Sequence, residues 1–345
     1  MHPQIAWPKA ERQAHFERWL SHIALQHGLD PATVCPASAD ASFRRYFRVQ
    51  GSQGSLIVMD APPPLEDVRP FVHVAGLIES AGLHAPRVLQ ADVDMGFLLL
   101  TDLGDRQYLH ALQGASREQA DSLMRDALSA LVAWQQHVPA RALPPFDQAQ
   151  IARELALFPQ WCVHHEFEQT WTPAQQNAWA GVVDLLTRNL LAQPQVAVHS
   201  DWMPRNLMVC TPNPGILDFQ DAVHGPITYD LASLLRDAFL SWHEAQQLDW
   251  AVRWWEQARL AGLPVDEDFG EFWRALEWTG LQRHLRILGV FCRLKHRDGK
   301  ATYVQELPRF FNYATQVALR YRPLAPLLRL LEPLSGAAVK AGYTF

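Results

Sequence analysis

The chain has 345 residues, 48% of them hydrophobic and 19% charged, the proportions of a folded globular protein and not of a disordered or fibrous one. That length allows two domains or one large two-lobed one with a sizeable core. A formal net charge of −6 supplies no basic field, which argues against nucleic acid or an anionic membrane as a partner. The four cysteines, Cys35, Cys162, Cys210 and Cys292, form no CxxC pair, so neither a zinc ribbon nor a thioredoxin-type site is expected. The first residues carry no basic and apolar leader pattern, and no run of about 18 apolar residues occurs. A cytoplasmic protein is the expectation.

In chain order, Phe16, Leu20, Ile23 and Ala24 recur at helical spacing, which predicts a helix over 11–28 with Gly28 as its stop. The β-rich runs 42–49 and 55–61, joined by "QGSQG", read as a hairpin. "APPP" then breaks the chain, and Val68, Phe71, Val72, Ala75 and Ile78 mark a helix over 65–81. "PRVLQADVDMGFLLLTDLG" reads as two further strands around a turn at 94–96. The texture changes after Leu103: amphipathic helices are predicted over 117–137, 173–191 and 245–260, with strands only at "AVH", "LMVC" and "GILDF". The expectation is an α+β protein with a sheet-rich N-lobe over 1–102 and a helical C-lobe over 103–345. The thirteen tryptophans, spread through helical segments, read as core.

"VHSDWMPRNLMVC", followed by "GILDFQDA", sets polar side chains among strand-like apolar runs. A buried carboxylate without partners is costly, so a plain core strand would not carry them. Pro204 disfavours a continuous helix, and the loop that results lets Asp201 and Asn206 curl toward one point, with Asp218 at the end of the next strand. One carboxylate able to accept a proton, with one amide oxygen and one carboxylate able to hold Mg2+, is the set that phosphoryl transfer needs.

His199-x-Asp201-x4-Asn206, then Asp218, then "GPITYDLASLL", resembles the catalytic loop, metal-binding segment and following helix of the aminoglycoside phosphotransferase and choline kinase family. The resemblance spans from about residue 42 to at least 235. It implies a protein-kinase-like two-lobed fold, with a small antiparallel sheet in the N-lobe, and an ATP- and Mg2+-dependent phosphotransferase. Asp201 would be the catalytic base, and Asn206 and Asp218 the metal ligands. His199 and Asp230 would brace the loop. Residues near Leu100, Thr101 and Asp102 would form the hinge that reads adenine. "SADASFRRYFRV", with Ser42, Arg44 and Arg45, would cover the phosphates, although Arg44 and Arg45 also read as a solvated strand face. No Walker motif is present.

Two departures stand out. The family's third-strand lysine is missing: Met59 is near its place, and Lys9 is the only lysine before Lys295. Arg44, Arg45 or Arg48 is left to supply the charge, with Glu66 or Glu79 as partner, and an arginine fork is not equivalent to a lysine. Ser200 stands where relatives often have glycine.

Within the family, "LDFQDAVHGPITYDLASLLRD", "SLIVMDAPP" and "DASFRRYFRV" resemble the bacterial kinases that phosphorylate the anomeric hydroxyl of N-acetylmuramate and N-acetylglucosamine in peptidoglycan recycling. That resemblance implies an amino-sugar substrate and functional coupling to a sugar-1-phosphate uridylyltransferase. Gln220, Asp221 and His224, with Arg205, would contact the sugar, and Trp202 would pack on its face. The basic run Arg283, Arg286, Arg293, Lys295, His296, Arg297 and Lys300 reads either as a ligand for the lactyl carboxylate or as a solvated helix face. The rivals are a kinase for another small hydroxyl compound (an aminoglycoside, choline or homoserine) and a non-catalytic nucleotide-binding kinase-like module.

Overall fold

The computed structural model describes residues 5, 7, 9–39 and 43–335. Its strands are β1 (Leu29–Ala39), β2 (Arg45–Gly51), β3 (Gly54–Asp60), β4 (Val88–Asp92), β5 (Phe97–Thr101), β6 (Gln195–Val198), β7 (Leu207–Met208), β8 (Gly215–Ile216) and β9 (Val223–Pro226). The helices are α1 (Ala10–His27), α2 (Arg69–Ser80), α3 (Tyr108–Leu112), α4 (Arg117–His137), α5 (Gln148–Leu157), α6 (Pro173–Ala192), α7 (Tyr229–Leu235), α8 (Glu244–Leu260), α9 (Phe269–His296), α10 (Leu307–Arg320) and α11 (Ala325–Ser335). Two compact units result, Met1–Ala111 with Arg205–Asp221, and Leu112–Pro204 with Ala222–Phe345.

In the first unit, five antiparallel strands pair in the order β1-β2-β3-β5-β4. The expected hairpin is β2–β3, in register from Arg45 opposite Asp60 to Gly51 opposite Gly54. Strand β1 has no counterpart in the sequence reading, because Pro31 and Pro36 interrupt any alternation. It tolerates them as an edge strand whose pairing with β2 slips twice, between Asp30 and Cys35 and between Pro36 and Ser38. Gly28 caps α1 in the left-handed conformation, at φ +60°. The helix then lays Phe16, Leu20 and Ile23 on Phe47, Val49, Val58, Phe97 and Leu99 of the sheet, each such burial contributing roughly 1.5–3 kcal/mol. Fully buried Asp60 ties helix to sheet by accepting from Arg12 at 2.5 Å and from Arg45. A short ribbon, β7–β8, completes the unit.

The second unit is helical, with one small ribbon, β6–β9. Ser116 and Thr172 open α4 and α6 with reciprocal capping boxes to Gln119 and Gln175. The 28-residue α9 runs through its middle, with sixteen buried residues. It passes so close to the end of α5 that a Cβ on Gly289 would fall 2.4 Å from the Leu157 carbonyl carbon. Seven of the thirteen tryptophans are buried, Trp134, Trp202 and Trp254 completely, so the reading of the tryptophans as core holds for about half of them. Strand β9, the helices α3, α5, α10 and α11, and the first half of α9 add to what the sequence pattern marks.

Glu277 of α9 is 1% exposed and accepts from Arg236 at 2.8 Å, Arg320 at 2.6 Å and the Tyr321 hydroxyl at 2.6 Å. Removing this one acid strands a buried guanidinium. Glu277→Ala is expected to lower stability by about 3–5 kcal/mol, read by denaturant unfolding. A loss below 1 kcal/mol would mean the cluster contributes little.

Candidate functional site

The first unit encloses a cavity of about 400 Å3 whose wall includes Tyr46, Arg48, Ile57, Leu100, Asn206 and Asp218. Strand alternation decides which side chains of β2 reach it. Phe47 and Val49 point into the α1 core, so Arg45 shares their face, and it is there that it pairs with Asp60 and lies 4.1 Å from the Trp7 ring. Tyr46 and Arg48 take the opposite, cavity-lining face. Arg45, expected among the phosphate contacts, therefore serves the core side of the sheet, and Ser42 lies outside the described residues. The Phe-x-Val alternation beside Arg45 puts Tyr46 with Arg48 on the cavity side.

The expected hinge lies on the cavity wall at Leu100, Thr101 and Asp102. Asp102 accepts from Arg48 at 2.5 and 3.0 Å, from the Ser55 hydroxyl at 2.7 Å and from the Gly104 N–H at 2.9 Å. Partial burial pushes its carboxyl up, but these donors outweigh that and hold it below its ordinary value. Arg48 is therefore committed to the Asp102 carboxylate.

Asn206 and Asp218 come together at the other end. The Leu217 N–H donates to the Asn206 carbonyl at 2.9 Å, and the two side chains lie 3.5 Å apart. Asp218 Oδ1 accepts from Gln220 Nε2 at 2.9 Å and from Arg44 Nη2 at 3.3 Å. Arg44 also lies 4.0 Å from Glu66, and its side chain is only 12% exposed. Gln220, expected at the sugar, instead props Asp218 and also reaches the exposed Asp221 at 3.0 Å. Arg205 lines this same cavity. In the contact between Asn206 and Asp218, the Asn206 Nδ2 donates to Asp218 Oδ2; the amide's oxygen together with the carboxylate would make a hard-oxygen donor pair of the kind that suits Mg2+.

The second unit carries the other half of the motif. After β6, the chain kinks at Ser200, whose φ is +80°. Ser200, Asp218 and Glu168 are the non-glycine residues with positive φ among the described residues, so two of the three fall in the motif. Such conformations cost on the order of 1–3 kcal/mol and persist where surroundings enforce them. Here the enforcement is visible. Asp230, completely buried at the start of α7, accepts the N–H of His199 at 2.7 Å and of Ser200 at 3.0 Å. Arg283 of α9 donates to the Ser200 carbonyl at 2.7 Å and lies 3.9 Å from the Asp201 carboxylate. The His199 ring packs between Trp134 and Trp202, each centroid 5.5 Å away, and its Nδ1 accepts the Asp201 N–H at 3.3 Å.

Trp202 is correspondingly 0% exposed, so it has no face to offer a sugar and acts as core. His224 sits on β9 opposite Ala197. The basic run is neither one patch nor one solvated face: Arg283 is buried at the loop, Arg286 faces Glu154, and Lys295 and His296 pair with Glu166. No helix among the described residues is long and apolar enough to cross a membrane.

Burial pushes the Asp230 carboxyl up to about 7, against the lowering effects of the His199 N–H, the Arg283 charge and the Ser200 N–H. A folded-state pKa above the ordinary value means that its contribution to stability is complete below about pH 4 and is lost as pH rises through about 7. Asp230→Asn does not titrate. The wild type's unfolding free energy relative to that variant should fall from pH 4 to 7 and level off above it; a difference that stays constant across this range would contradict the assignment.

Residues 33–283 match the phosphotransferase enzyme family. The chain is 49% identical to the N-acetylmuramate/N-acetylglucosamine kinase of Pseudomonas aeruginosa, over 89% of this chain and 90% of that one. It is 46% identical to the kinase of the same name from Neisseria meningitidis, over 97% and 100%. Among solved structures, the Plasmodium vivax ethanolamine kinase superposes with a TM-score of 0.63 at 9% identity, covering 96% of this chain and 99% of that one. An ADP-bound aminoglycoside phosphotransferase gives a TM-score of 0.56 at 14% identity, covering 90% and 99%. The protein-kinase-like fold of these enzymes is the fold of this chain, and the chain belongs to the phosphotransferase enzyme family.

Proposed function

We propose that the protein is a cytoplasmic ATP-dependent kinase that phosphorylates the anomeric C1 hydroxyl of N-acetylmuramate and N-acetylglucosamine. The reading is carried by identity of 46–49% over almost the full length of kinases so named, and the motif residues Asp201, Asn206 and Asp218 are all present. The product, a sugar 1-phosphate, is the class of compound that a uridylyltransferase consumes in cell-wall recycling. In this reading residues 1–102 cover the nucleotide, with adenine at Leu100 to Asp102, and the sugar binds within 103–345 near His224.

Asp201 accepts the proton of the attacking hydroxyl. The sugar oxygen forms its bond to the γ-phosphorus as the bond to the ADP oxygen breaks, and no phosphoenzyme intervenes. Asn206 and Asp218 would hold Mg2+, which neutralises phosphate charge as it develops. Gln220 keeps the Asp218 carboxylate oriented toward that task. Arg44 supplies the cation that a strand lysine gives elsewhere, with Glu66 as its partner. His199 and Asp230 hold the loop that bears the base.

Purified protein with Mg·ATP should release ADP with either amino sugar and not with kanamycin, choline or homoserine. Asp201→Asn should lower kcat by about 10²–10⁴-fold, the range of general-base catalysis, while ATP binding survives. Turnover of kanamycin alone would overturn the sugar assignment, and normal turnover by Asp201→Asn would overturn the base. Arg44→Ala should weaken ATP binding by about tenfold to a hundredfold, the worth of a hydrogen bond to a charged group, with Arg44→Lys intermediate. An unchanged nucleotide Kd would take Arg44 out of the phosphate site.

A further inference from the structure

Arg283, on α9, lies more than eighty residues downstream of Ser200 and Asp201, and yet its side chain reaches both. It is 3% exposed. One of its nitrogens donates to the Ser200 carbonyl at 2.7 Å. Another faces the Asp201 carboxylate at 3.9 Å. The flat of the guanidinium lies over the Tyr229 ring, with its carbon 4.6 Å from the centroid. Tyr229 in turn is the neighbour of Asp230, whose carboxylate takes the N–H of the same Ser200. The Ser200 residue is thus held at both ends, its N–H by a carboxyl group and its carbonyl by a guanidinium, in a backbone conformation that a serine does not favour. Glycine would adopt this conformation without help.

We propose that Arg283 is the positioning residue of the catalytic loop: by gripping the Ser200 carbonyl it replaces a glycine's freedom with an enforced kink, and so fixes the direction in which Asp201 presents its carboxylate. This rests on the reading of Asp201 as the base. Arginine suits the role because its planar fork reaches a carbonyl and a carboxylate together while its face stacks on an aromatic ring. A lysine, a point charge on a flexible stem, can serve one of these partners at a time. Arg283 touches neither nucleotide nor sugar in this account. Its loss misaims the base and leaves the binding surfaces in place.

Four variants test it: Arg283→Met, Arg283→Lys, Ser200→Gly and the double Arg283→Met/Ser200→Gly. Arg283→Met should lose about tenfold to a hundredfold in kcat, the scale of a small misplacement of a reacting group, with KM for ATP and for the sugar changed less than about threefold. Arg283→Lys should fall between it and the wild type. Ser200→Gly should recover at least severalfold of the kcat lost in Arg283→Met, because glycine takes the kink unaided, whereas a general packing defect at Arg283 would not respond. Amide exchange over 199–203 should quicken in Arg283→Met. If Arg283→Met does not fold, Arg283→Lys with and without Ser200→Gly gives the same comparison. Wild-type kcat in Arg283→Met, or no recovery in the double variant, would overturn the proposal. Asp201→Asn, run alongside, separates the two readings: full activity there removes the base, while the exchange at 199–203 still reports whether Arg283 holds the loop.

Discussion

Asp230 lies without solvent contact at the start of a seven-residue helix, and the two backbone N–H groups it accepts belong to the residues just before Asp201. An isolated carboxylate in that position would be costly, and its two donors together with the nearby Arg283 charge are what make it tolerable. The exchange has a structural return. It stops β6, turns the chain at Ser200 against the serine's own preference, and releases the following side chain from the strand's alternation. The surrounding aromatic residues serve this turn. Trp134 and Trp202 wedge the His199 ring, and the Trp134 indole N–H donates to the Ala197 carbonyl at 3.0 Å. The loop that carries the Asp201 carboxylate is built here from buried parts.

The first unit solves a different problem, the near absence of lysine. Its sheet and ribbon contain none, and several of its arginines are held by acids. Arg12 and Arg45 converge on Asp60, Arg48 on Asp102, and Arg44 on Asp218 and Glu66. Only the last of these couples a cation to Asp218, the carboxylate proposed to hold Mg2+. Forked guanidinium groups make such sharing possible, because they meet carboxylates in two places at once. The pairing of Arg44 with Asp218 also gives a physical reason for Asp218 to keep its left-handed backbone: side-chain donors approach from both Arg44 and Gln220.

The hairpin β2–β3, the helices α1 and α2, and the strands β4 and β5 are legible in the sequence because each has a clean period and clear punctuation. Strand β1 is not: its prolines erase the alternation, and it survives only because a bulged edge strand tolerates them. Asp201, Asn206 and Asp218 stand out in the sequence as candidates from their types and spacing. Trp202 and Arg45 mislead because the type of a side chain does not say which way it points. Trp202 faces the core, and Arg45 shares the parity of Phe47 and Val49. Arg283 reads from sequence as one of seven basic residues, and only the packing of α9 separates it from the others. Long-range contacts of this kind leave no local pattern.

Placement of the phosphate on the anomeric oxygen is the central claim, and the most direct measurement of it is 31P NMR of the products formed from Mg·ATP with N-acetylmuramate and with N-acetylglucosamine. The account predicts a new phosphomonoester signal, coupled to the sugar's C1 proton and lost on mild acid treatment. A signal coupled to the C6 protons, or ATP consumption with no sugar phosphate at all, would contradict it.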